Sequence, residues 1–135
     1  MDAIESIKAR IPQFAGYGEL EARRDDDELI RSYLGEALAT LNANHPDFFA
    51  DRSEAYENLI IRAGFMNQVA FRAFEYAKLD PAQADAIARN DQAMLDLADR
   101  APNVAAGDVA AYLDELTAAF DRRDGAMAKA GGAIA

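Results

Sequence analysis

Any chemistry in this chain has to be assembled from 24 acidic residues, one histidine and no cysteine. Without a thiol, disulfides, thiolate zinc sites, iron–sulfur clusters and cysteine nucleophiles are excluded together. A di-iron carboxylate bundle requires Glu-x-x-His motifs on facing helices, because each metal takes an imidazole along with bridging carboxylates. The single histidine, His45, stands in a turn-like stretch before Pro46 and has no Glu three residues ahead of it. A calcium loop needs alternating acidic ligands followed by Gly, but the positions around Asp121, Asp124 and Gly125 carry Phe, Arg and Asp in the wrong order. Gly16 and Gly18 do not lead into a Gly-Lys-Ser/Thr signature, and Gly35 is isolated in a helical stretch. Ser32 and Ser53 occupy helix and cap contexts rather than a nucleophile elbow. Carboxylate pairs of the glycosidase kind arise by chance among so many acids, and none stands out. The expectation is a non-catalytic protein with no metal and no cofactor.

Two polar residues nevertheless break the pattern of their helices. Asp91 projects from the middle of an apolar face made by Ala84, Ile87, Ala88, Met94, Leu95 and Ala98, where a carboxylate must find partners or take up a proton. Asn67 falls among Tyr56, Ile60, Phe71 and Phe74, and its amide has the same need. One reading is a polar bond between helices, with Arg62, Arg72 or a tyrosine hydroxyl serving Asp91. Replacing Asp91 with Ala is then expected to cost about 1–3 kcal/mol. The other makes Asp91 and Asn67 the polar lining of a small-ligand pocket, closed by a loop carrying Phe14 and Tyr17.

These residues must be positioned by helices. The hydrophobic content of 51% leans on Ala, Leu and Ile, and Thr is scarce, which favours helix over sheet. Ile4, Ile7 and Ile11 mark a short first helix near residues 2–10, ended by Pro12. The stretch IPQFAGYG reads as an ordered loop whose aromatic rings pack on the bundle. A second helix is expected over about 25–43, opened by Asp25-Asp26-Asp27-Glu28 at the positive end of its dipole. The third, over about 53–79, has an apolar surface too wide for an ordinary surface helix, and Gly64 or Asn67 offers a place for it to bend or break. Asp80-Pro81 starts a fourth helix over about 81–100, and Asp108 a fifth over about 109–124. The expected fold is all-α: an antiparallel bundle of four main helices plus the short N-terminal helix and the aromatic loop. Residues 1–124 form its single domain, and 125–135 are expected to be a flexible tail.

Ile61, Phe65, Val69 and Tyr76 intrude on the polar side of the third helix, and Arg62 and Arg72 flank them. Either the aromatic loop or first helix folds over them, or a second copy of the chain covers them, with the arginines meeting Glu54, Glu57 or Glu75 across a two-fold axis. A formal charge of -10 disfavours binding to a phosphate backbone. An acidic mimic of nucleic acid would need its carboxylates arrayed along one face. The absence of an export signal and of any run of about 18 apolar residues predicts no membrane span. The function expected is a cytoplasmic interaction or assembly module, homodimeric or bound to another protein.

Overall fold

In the computed structural model, which describes residues 2–130, the fold is all-α. Among the described residues there are six α-helices of at least two turns, a single-turn α-helix, three 3-10 turns and no strand. They are α1 (Ala3–Arg10), α2 (Arg23–Asn44), the one-turn α3 (Pro46–Phe49), α4 (Glu54–Gly64), α5 (Gln68–Glu75), α6 (Pro81–Asp99) and α7 (Val109–Ala130). None is long and apolar enough to cross a membrane. α6 lies at the centre, packed against α1, α2 and α7, while α4 and α5 both rest on α7 and α4 also rests on α2.

Local chemistry explains the helix starts. Asp2, Ser53, Asn67 and Asp80 each accept a hydrogen bond from a backbone N–H of the first turn. At Asp80 the bond is reciprocal, since the Gln83 side chain accepts from the Asp80 N–H at 3.0 Å, and Pro81 fills the first helical position. The buried stripe of α2, made by Ile30, Leu34, Ala37, Leu38 and Leu41, faces Leu59 and Ala63 of α4 and the Ile87–Leu95 face of α6 in one apolar core.

The third helix expected over 53–79 is two helices. Phe65 leaves α4 in an extended conformation, and Asn67, expected on an apolar helix face, is instead the exposed N-cap of α5. Arg31 compensates the break by donating to the Ala63 carbonyl at 3.1 Å, one of the acceptors that a helix end leaves without a partner.

The last helix corrects the expected end at Asp124. It continues to Ala130 because Arg123 and Met127 prolong the buried stripe of Val109, Leu113, Leu116 and Phe120 by further turns. The rest of the expected tail, 131–135, lies outside the described residues.

Candidate functional site

The residues singled out by sequence fall into two places. Phe14, Tyr17 and Asp91 come together in the core, whereas Ile61, Phe65, Val69, Arg72 and Tyr76 are exposed along α4 and α5 and Arg62 and Asn67 turn toward α7.

The core group centres on Asp91, which is 0% exposed. Its carboxylate accepts from Arg123 Nε at 2.6 Å and from the Tyr17 hydroxyl. Arg123 of α7, rather than Arg62 or Arg72, is therefore its cationic partner. Arg123 also reaches Asp27 at 2.8 Å and the Tyr17 oxygen at 3.1 Å, and Asp27 holds Arg31 at 2.8 Å. Loop, α2, α6 and α7 are thus tied by one buried network. Among the described residues no buried side-chain nitrogen or oxygen lacks a partner. Burial raises the Asp91 carboxyl above the ordinary aspartate range, and the Arg123 charge opposes that rise.

The aromatic loop is built into this network. Gly16 and Tyr17 both have positive φ, +90° and +67°, and a Cβ at Gly16 would come within 3.1 Å of the Ile4 side chain. The left-handed conformation is unfavourable for tyrosine. Tyr17 is held in it by Asp26, which accepts from the Ala15 and Tyr17 N–H groups at 2.7 and 3.0 Å. Arg23 donates to the Tyr17 carbonyl at 2.9 Å and, at the end of α5, to the carbonyls of Phe74 and Ala77, both at 2.8 Å. The Tyr17 ring stands edge-on between Phe14 and Phe74 at 5.1 and 5.2 Å. Phe14 and Tyr17 are core residues and do not form the rim of an opening.

The acidic run that opens α2 therefore has a task its sequence context did not announce. Asp26 and Asp27 turn inward to the loop and to the two arginines, and no side chain caps the helix at Ala22. A signal was present: Asp27, Ile30, Leu34, Leu38 and Leu41 share one helical stripe, as do Leu116, Phe120 and Arg123 on α7.

Three phenols resist ionisation. Burial, aided by the Asp99 hydrogen bond, pushes Tyr33 up to about 12. Burial does the same to Tyr112, whose hydroxyl donates to the Leu97 carbonyl at 2.5 Å, again to about 12. Burial first, and the neighbouring Asp91 charge second, carry Tyr17 well above the usual value. An unfolded tyrosine loses its proton near pH 10, so above that the folded chain holds protons the unfolded chain has released. Stability should fall as pH rises from about 10 through 12. The phenolate absorbance of these three should appear together with loss of helical ellipticity; three phenols ionising near pH 10 with helicity intact would contradict this.

On the outer side, Ile61 is 56% exposed, Phe65 72%, Val69 84% and Tyr76 75%. Neither the aromatic loop nor α1 covers them. Ile61 and Phe65 border a cleft of about 210 Å³ beside the α4–α5 break, with Arg31, Arg62, Asn67 and Arg123 among its lining. Val69 and Arg72 line an open depression on α5. Arg62 is not free to serve a second copy: it pairs with Asp121 and Asp124 at 2.9 and 3.0 Å and lies 5.0 Å from the Phe120 ring centre. Glu75 is likewise held by Arg24 within the chain, and Asn67 also donates to Asp124 at 3.0 Å. The cleft is smaller than the roughly 300–1,000 Å³ of ordinary small-molecule sites. Asn67 and Asp91 do not meet: one is at the surface and the other in the core.

Comparison with protein-family models, with curated proteins and with solved structures finds no match to this chain.

Proposed function

We propose that this chain is a non-catalytic helical interaction module that assembles as a homodimer through the outer side of α4 and α5. The observation that carries the reading is the exposure of Ile61, Phe65, Val69 and Tyr76 on one segment, each barer than the exposed Leu20 and Ile60. Aromatic side chains carry about 150–250 Å² each, and Phe65 and Tyr76 leave 72% and 75% of their surface in water, so with Ile61 and Val69 the segment exposes an apolar area comparable to the about 300–600 Å² of the largest patch on a typical monomer. Patches of that size are commonly functional, and covering one with a second copy removes it from water on both partners at once.

The buried network supports a structural role for the rest of the molecule. Asp91, Asp27, Arg123 and Tyr17 resemble catalytic groups by type, yet they are buried and spent on one another. A small-ligand site is the weaker reading for the same reason, since Asp91 already accepts from Arg123 and Tyr17. The acidic, cysteine-free composition suits work in the cytoplasm and does not suit nucleic acid as the partner.

Sedimentation equilibrium tests the reading. The apparent mass should rise reversibly with concentration from the 14.7 kDa chain toward twice that value. A mass that stays at the single chain up to high micromolar concentration would sink it.

A further inference from the structure

We infer that the second copy docks antiparallel to the first, about a two-fold axis beside Phe65, because the α4–α5 strip is acidic at one end and basic at the other. This rests on the self-association reading above and adds the orientation of the partner.

The strip runs in one direction along α2. Tyr56 near its start accepts from Asn42 at 3.1 Å, the Ala63 carbonyl in its middle accepts from Arg31 at 3.1 Å, and Glu75 at its end meets Arg24. Its two ends therefore lie at opposite ends of α2. At the first end Asp51, Glu54 and Glu57 outnumber Arg52 by two charges. At the other, Arg24, Arg72 and Lys78 outnumber Glu75 and the helix-capping Asp80 by one. Between the ends, Ile61 and Val69 stand four residues to either side of Phe65.

Three of the charges are also free to act. Glu57 holds Arg52 and Glu75 holds Arg24, whereas Glu54, Arg72 and Lys78 make no ion pair among the described residues, and all three are exposed. On α4, Glu54, Glu57 and Ile61 recur at the spacing of one helical stripe, with Phe65 just past the helix end, and on α5 Val69 and Arg72 share a stripe, with Tyr76 just past its end. A parallel pairing would set acid against acid and base against base. The antiparallel pairing sets Ile61 of one copy against Val69 of the other, with Glu54 and Glu57 facing Arg72 and Lys78 at both ends. The charged ends also enlarge the contact. A stable interface takes about 800 Å² from each partner, more than the apolar residues supply, so the charged ends must be part of it.

The test uses two full-length variants with opposite ends reversed, Glu54→Lys/Glu57→Lys and Arg72→Glu/Lys78→Glu, each checked for helicity by circular dichroism. In low salt each variant alone should dimerise at least about tenfold more weakly than wild type, since like charges now meet at both ends. An equimolar mixture should recover wild-type association as a heterodimer, resolved from the homodimers by native mass spectrometry. The differences should shrink as salt screens the ends. If each reversed variant dimerises as well as wild type, or the mixture does not recover, the antiparallel docking is overturned. When the wild type is dimeric and Phe65→Glu disrupts it, that failure leaves the self-association reading standing. A monomeric wild type overturns both.

Discussion

Replacing Arg123 with methionine should destabilise the fold by about 3–5 kcal/mol, a large part of the 5–15 kcal/mol that holds a typical small domain together. Arg123 is buried and is the cation shared by Asp91 and Asp27, through bonds of 2.6 and 2.8 Å. Methionine matches much of its length but leaves two buried carboxylates facing each other, with only Tyr17 and Arg31 to answer them. Urea unfolding should show a lower midpoint at an unchanged denaturant slope. Because the cost comes from orphaned charge rather than lost volume, adding Asp91→Leu to Arg123→Met should recover part of the loss. If Arg123→Met unfolds within about 0.5 kcal/mol of wild type, the network is not the tie between loop, α2, α6 and α7 that its geometry describes.

The network also marks where the sequence stopped being legible. Asp91 was visible as a buried acid because its neighbours at helical spacing are all apolar, and a tyrosine hydroxyl was among its expected partners. Arg123 and Asp27 were not recognised, although each continues a buried stripe, because a charged residue at a helix position ordinarily points to water. The Asp25–Glu28 run looked like dipole compensation, and only the tertiary fold shows Asp26 turned back onto the N–H groups of the loop. The aromatic loop is readable from composition: its Phe14 and Tyr17 rings pack into the core.

The third helix shows the limit of periodicity. The apolar pattern of 53–79 runs without interruption, yet the backbone breaks where Gly64 costs helix stability and Asn67 can cap a new start. That break moves Asn67 from the core to the surface, separating it from Asp91 and removing the pocket the two were expected to line. On α7 the helix outlasts the periodic pattern. The small residues after Asp124 looked like a tail, but alanine is the strongest helix former and Met127 gives that turn an anchor in the core.

Substituting glutamate for Phe65 should abolish assembly while leaving the chain folded. Phe65 follows the last turn of α4, is 72% exposed and has the Cβ direction of an extended residue, so its replacement touches little within the chain. Surface changes of this kind usually stay within about 0.5 kcal/mol in stability. In a two-fold interface the same substitution occurs twice beside the axis, and two carboxylates would be desolvated against each other. Association should weaken by at least about a hundredfold, or about 2.8 kcal/mol. The decisive measurement is light scattering during size exclusion of wild type and Phe65→Glu at matched high micromolar concentration, with circular dichroism on the eluted peaks. A dimeric wild type beside a helical, monomeric variant is the expected result; a wild type that elutes as a monomer, or a folded variant that stays dimeric, would contradict assembly through this face.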